Sequence, residues 1–331
     1  MSDPLLQVRD LRKTFRVPGS KSGLTALDGI TLDLGRGETL GLVGESGCGK
    51  STLARTLMML ERPDSGSVSF DGIDPFTLRG KDLLRFRRRV QMVFQDPYAS
   101  LNSRMTAGDI VAEPWRTHKA MFASRGERDA RVRELLELVG LGAKAADKYP
   151  QEFSGGQRQR IGIARALALD PDVVICDEPV SALDLSVQAQ VLNLLNDLQR
   201  ELGIAYVFIS HDLSVVRHVA DRVAVMYLGR IVESGPTDAV FDSPSHPYTA
   251  ALMSAAPKLD AAHRKERILL KGEVPSPLNP PSGCRFRTRC WKATDVCATE
   301  RPPLAVDPQS ATHGAECHHP LVGEPALSAS A

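Results

Sequence analysis

The chain has almost no net charge, no long apolar run and few cysteines. Its 41 Lys and Arg residues stand against 40 Asp and Glu, leaving +1. That balance argues against a broad electrostatic grip on nucleic acid or anionic lipid, so any partner has to be recognised locally. The N-terminal "MSDPLLQVRD" lacks the basic segment and apolar run of a secretory signal, and export is not expected. The longest apolar runs, such as "VAVMYLG" and "YVFIS", fall far short of the about 18 residues a membrane-crossing helix needs. The expectation is a soluble chain that can sit against a membrane protein. No heptad run is present, and a single phosphate-binding motif occurs. Cysteine totals six, and in a reducing compartment these are not expected to form a disulfide framework.

What is there alternates. Short apolar or β-branched runs, "ETLGLVG", "VQMVFQ", "DVVIC", "IAYVFIS" and "RVAVMYLG", are interleaved with helical patterns, which predicts an α/β fold with a mostly parallel sheet. Residues 173–176 are apolar without alternation, as in a strand covered on both faces. From Ser186 to Leu202 the apolar positions keep helical spacing, with Gly203 as the stop. Between Gln95 and Val173 no clear strand is read, and Val132, Leu135, Leu136 and Val139 mark an amphipathic helix closed by Gly140. This predicts a helical subdomain, about 98–168, inserted into a domain spanning 1–245. A second region, 246–331, passes through the proline-rich "GEVPSPLNPPSG" into a cysteine cluster, with a tail from about 321 expected to be disordered.

Three segments carry chemistry. "GESGCGKST" at 44–52 fits G-x-x-x-x-G-K-[ST] after a strand and at the start of a helix. Its backbone N–H groups, from Gly44 through Ser46, Gly47, Cys48 and Gly49 to Thr52, suit the phosphates of ATP. Lys50 suits the β- and γ-phosphates, and the Ser51 hydroxyl suits Mg2+. "VVICDEP" at 173–179 ends a strand with two carboxylates. Asp177 is placed for the Mg2+ shell and Glu178 for a general base toward an attacking water. "FSGGQRQRIGIARAL" at 153–167 sets a Ser and two Gly at a helix start, a second anion cradle.

With that third motif the chain resembles the ATP-binding cassette (ABC) ATPases. The resemblance implies a P-loop ABC-type nucleotide-binding domain containing an antiparallel β part besides the parallel core. It implies pairing in which Ser154, Gly155, Gly156, Gln157 and Asp184 of "SALD" meet the ATP bound to a partner subunit. Gln95 in "VFQDPYASLN" is similar to the family's glutamine that contacts Mg2+ and the attacking water, and His211 in "FISHDL" to its γ-phosphate histidine. Phe15 in "LRKTF" occupies the place of the adenine-stacking aromatic, with a packed strand Phe as the equal alternative. "DSPSHPYTAALMSAAP" and "GEVPSPLNPPSGCRFRTRC" resemble the C-terminal extension of oligopeptide and dipeptide importer ATPases, a group that includes nickel importers. "SVQAQVLNLLNDLQRE" and "CRFRTRC" resemble the F-type subunit. Implied partners are a D-type ATPase subunit in a heterodimer, two transmembrane permeases and an extracytoplasmic solute-binding protein, with no nucleic acid. The implied location is the cytoplasmic face of the cell membrane, held peripherally through the permeases. An ABC ATPase acting outside membranes is the competing reading.

Cys284, Cys290, Cys297 and Cys317 are spaced C-x5-C-x6-C-x19-C, without the C-x2-4-C knuckles of structural zinc. Four thiolates on irregular loops suit an iron–sulfur cluster at least as well. Similar cysteines in the importer family are consistent with a [4Fe-4S] cluster, with Zn2+ as the alternative. His313, His318 and His319 lie near enough in sequence to replace a ligand. Arg285, Arg287 and Arg289 are expected to offset the cluster's negative charge. Cys48 and Cys176 read as small packed residues.

Overall fold

The computed structural model describes residues 3–19, 23–255, 268–307 and 310–321. The disordered tail expected from about 321 lies, but for Leu321, outside the described residues. The chain packs as two compact units. One, the P-loop unit, comprises Leu6–Asp33, Thr39–Ser69 and Ser210–Ala331; the other, the helical unit, comprises Met1–Leu5, Leu34–Glu38 and Phe70–Ile209.

The P-loop unit begins with β1 (Leu6–Phe15), β2 (Leu24–Leu34), β3 (Thr39–Val43), α1 (Lys50–Leu57) and β4 (Ser65–Phe70). β1 lies between β2 and β4 in a small sheet. β3, "TLGLV", is buried at every position, which is why its apolar residues do not alternate.

The helical unit follows with α2 (Gly80–Arg89), β5 (Val90–Val93), α3 (Ala107–Ala112), α4 (Arg125–Leu138), α5 (Gly155–Leu167), β6 (Val173–Asp177), α6 (Leu185–Leu202) and β7 (Ala205–Ile209). β5, β6 and β7 run parallel, with Val90 opposite Val173 and Val173 opposite Ala205. α4 and α6 start where the sequence supplies caps. Ser124 Oγ accepts from Glu127 N–H at α4, and Asp184 Oδ1 accepts from Val187 N–H at α6. α6 stops at Gly203, whose φ of 67° is left-handed. Val132, Leu135 and Leu136 are the buried residues of α4.

The chain then returns to the P-loop unit with α7 (Leu213–Val219), β8 (Arg222–Tyr227), β9 (Arg230–Pro236), α8 (Thr237–Asp242), α9 (Pro247–Ala255), α10 (Val296–Thr299), β10 (Leu304–Asp307) and β11 (Ser310–Glu316). β3 pairs parallel with β8, and β8 pairs antiparallel with β9. β11 continues antiparallel beyond β9, Ala315 opposite Glu233, and β10 closes the edge. The described residues from 246 onward fall in the same unit as the phosphate loop. Among the described residues no helix is long and apolar enough to cross a membrane.

Candidate functional site

Between β3 and α1 the phosphate loop turns on glycines that nothing else can replace. Gly44 has φ 152°, and a Cβ there would lie 2.2 Å from the Met226 carbonyl oxygen. Gly49 caps α1 at φ 111°, where a Cβ would lie 2.4 Å from the Ala26 oxygen. Lys50 is buried with its Nζ donating to the carbonyls of Gly44 at 2.7 Å and Glu45 at 3.1 Å. Ser46, Gly47 and Ser51 are exposed, and Cys48 is buried, its thiol pushed up by that burial. Ser51 is the second residue of α1, Thr52 follows half-buried, and Phe15 ends β1 half-buried with Lys13 Nζ 5.3 Å from its ring centre. His211 is exposed in a turn stiffened by Ser210 Oγ, which accepts from Asp212 N–H, and by Asp212 capping α7.

In the helical unit the structure brings two of the predicted catalytic residues together. Gln95 Nε2 donates to Glu178 Oε2 at 2.9 Å. Glu178 has φ 48°, a left-handed conformation costly for a residue with a Cβ, and its N–H donates to the Ile209 carbonyl. Such strain is typical of functional positions. Asp177 ends β6, half-buried. Within the helical unit Asp177 and Gln95 offer hard oxygen donors, and within the P-loop unit Ser51 offers one; each is a donor type that suits Mg2+.

The second anion cradle is a capping box at the start of α5. Ser154 Oγ accepts from Gln157 N–H at 3.4 Å, and Gln157 Oε1 accepts from Ser154 N–H at 3.0 Å. Its two glycines differ. A Cβ on Gly156 would lie 2.2 Å from Val187 Cγ1, so helix packing demands that glycine; a Cβ on Gly155 would meet Leu183 Cδ2 and Tyr98 Oη at an ordinary 3.4 Å. Asp184 caps α6 and accepts from Ser186 Oγ, a hydrogen bond that, with the Val187 N–H, holds its carboxyl below the usual range.

Cys284, Cys290, Cys297 and Cys317 lie within electrostatic reach of one another. Burial pushes Cys290 up to about 11 and Cys317 to about 12, and raises Cys284. Lys292 N–H donates to Cys290 Sγ at 3.4 Å and His319 N–H to Cys317 Sγ at 3.3 Å. The donor chemistry is that of a thiolate site, but among the described residues no three His, Cys, Asp or Glu side chains are arranged to hold a metal ion. The expected spare ligands and counter-charges are engaged elsewhere. His313 Nε2 lies 2.7 Å from buried Glu233, His318 Nε2 3.2 Å from the Glu300 carbonyl, and His319 Nε2 2.8 Å from Thr294 Oγ1. Arg285 donates to Asp28 and to the Leu228 carbonyl, Arg287 to Ser282, and Arg289 to Glu45. These arginines therefore meet carboxylates, a carbonyl and Ser282 rather than the cysteines whose charge they were expected to offset. Glu45, Tyr248 and Arg289, which meet at the phosphate loop, were not singled out from sequence as a group. The available signal was an acid inside an anion-binding loop.

Residues 27–181 match the ABC transporter family, and residues 232–297 match the oligopeptide/dipeptide transporter C-terminal region. The dipeptide transport ATP-binding protein DppF of Haemophilus influenzae is 54% identical over 308 residues, 91% of this chain and 93% of that protein. The oligopeptide transport ATP-binding protein AppF of Bacillus subtilis is 50% identical over 327 residues, 96% of this chain and 97% of that protein. Among solved structures, the dimeric post-hydrolysis cassette MJ0796 bound to ADP and Pi is 30% identical with a TM-score of 0.63, covering 70% of this chain and 98% of that one. The protein cbiO1 from Clostridium perfringens, part of the ABC transporter complex cbiONQ, is 31% identical with a TM-score of 0.65, covering 73% and 92%. On motifs, fold and near full-length identity, the chain belongs to the ATP-binding subunits of the oligopeptide and dipeptide ABC transporters.

Proposed function

We propose that this chain is the ATP-hydrolysing subunit of a peptide importer, turning ATP binding and hydrolysis into the opening and closing of partner permeases. The observation that carries the chemistry is Gln95 held 2.9 Å from Glu178, with Glu178 in a strained backbone conformation at the end of a buried strand. Glu178 takes the proton of the attacking water, Gln95 orients that water, and His211 contacts the γ-phosphate. Lys50 leaves the carbonyls of its own loop for the β- and γ-phosphates, while the N–H groups of 44–52 hold the phosphate oxygens. Mg2+, when bound with ATP, neutralises phosphate charge; Ser51, Asp177 and Gln95 are the residues to hold it. Phe15 is assigned to the adenine.

Ser154, Gly155, Gly156, Gln157 and Asp184 are assigned to the ATP of the partner subunit. Gly155 supports this, because packing alone does not require a glycine there. We assign the partner as a D-type ATPase and place both, with an extracytoplasmic binding protein completing the importer, at the cytoplasmic face of the membrane. Residues 1–245 then form the cassette and 246–331 the extension. A [4Fe-4S] cluster on Cys284, Cys290, Cys297 and Cys317, with Zn2+ as the alternative, is supported by four cysteines in one C-terminal region, two of which, Cys290 and Cys317, accept backbone N–H hydrogen bonds at sulfur.

The test is Glu178→Gln. Turnover should fall by at least about 100-fold while ATP binding persists; persistent hydrolysis in a clean preparation would remove the assigned role.

A further inference from the structure

Glu45 is an acid in a loop whose purpose is to hold a polyanion. It follows the first glycine of that loop, and an unpaired carboxylate there would repel the triphosphate. The structure shows how it is neutralised. Arg289 grips Glu45 with both terminal nitrogens, Nη1 to Oε2 at 2.7 Å and Nη2 to Oε1 at 3.1 Å, and its side chain is only 8% exposed. Such a two-pronged, largely desolvated pair fixes orientation as well as charge. The Glu45 N–H is held by the hydroxyl of Tyr248, 2.9 Å away. Arg289 also lies 5.9 Å from the ring centre of Tyr227, which packs against Tyr248 and Phe286. Residues 274–277 of the proline-rich stretch line the pocket that Glu45, Ser46 and Gly47 face. Two separate pieces of the C-terminal region therefore grasp one acidic residue of the phosphate loop, and a third piece stands beside it.

We infer that Arg289 is a positioning residue of the ATP site, cancelling the charge of Glu45 and fixing the first arm of the phosphate loop, so that the C-terminal extension sets affinity for nucleoside triphosphate. This rests on the reading of 44–52 as the ATP site. Because the repulsion grows with phosphate charge, the effect is larger for ATP than for ADP. A purely structural role for Arg289 would loosen the loop for both alike, and removing the Glu45 charge would not repair it.

The experiment measures MgATP and MgADP dissociation constants on the full chain for the wild type, Lys50→Ala, Arg289→Ala and Arg289→Ala/Glu45→Gln, with a melting curve for each. Arg289→Ala should weaken MgATP by about tenfold and MgADP less, and the double variant should recover most of the loss. An unchanged ATP affinity in Arg289→Ala, or a double variant as weak as the single one, overturns the inference. If Arg289→Ala does not fold, Arg289→Lys decides. It keeps the charge while losing the fork and should bind MgATP within about threefold of wild type, and a larger loss overturns charge cancellation. A wild type that fails to bind MgATP, or a Lys50→Ala that binds it equally well, would instead sink the reading of the loop.

Discussion

His246 is enclosed on all sides, 1% exposed, and its Nδ1 accepts from the Tyr248 N–H while Phe286 packs against the ring. Burial lowers its pKa from 6.5 to about 3. The sign follows directly. Below pH 6.5 the unfolded chain takes up a proton that the folded chain refuses until about pH 3, so stability falls as the pH drops through that window. One such group contributes a slope of up to about 1.4 kcal/mol per pH unit. Melting temperatures from pH 7 to pH 4.5 should therefore decline, and His246→Gln should flatten the decline relative to wild type. An unchanged slope would show that the imidazole does not titrate in this way. Nothing around His246 in sequence announced this; "SPSHPYT" shows a histidine between prolines, and only the packing of Phe286, forty residues later, makes it a buried base.

At the scale of elements, α5 and α6 explain each other. Both start on side-chain caps that are visible in sequence, the Ser154–Gln157 box and Asp184. Their contact is not visible there. Gly156→Ala would drive a methyl into Val187 and should destabilise the protein by about 1–3 kcal/mol, with Val187→Ala restoring the melting temperature. Gly155→Ala, which meets only ordinary contacts, should leave the melting temperature unchanged and lower ATP turnover if this glycine meets the partner's nucleotide. Equal turnover in Gly155→Ala would take that glycine out of the site. Two adjacent glycines that read alike in sequence thus differ once the neighbouring helix is present: packing against Val187 requires Gly156, and no such steric demand falls on Gly155.

At the scale of the whole molecule, the tail is tied to the phosphate-loop unit by β11 on β9, by Arg285 on Asp28 and by Arg289 on Glu45. It contributes a small core around Phe286, and its His313 meets buried Glu233 of β9. The proposed cluster requires that protein purified without oxygen and without a metal-affinity tag contain about four irons and four sulfides per chain, lost when any of Cys284, Cys290, Cys297 or Cys317 becomes Ser. Zinc at one per chain would replace the cluster with a structural staple. No metal in such a preparation would leave four protonated thiols in a packed appendage.

What the sequence by itself determined is local. The phosphate loop, the strand ending in Asp177 and Glu178, and the capped start of α5 each lie within a few contiguous residues, so backbone geometry and chemistry are written in spacing alone. What only the tertiary structure decided is pairing between distant residues. Arg289 and Glu45 are 244 positions apart and Arg285 and Asp28 are 257 apart. A single sequence states which charges exist but not which of them meet. Burial chooses the partners, because a desolvated arginine is stable only beside an acceptor that packing brings within reach.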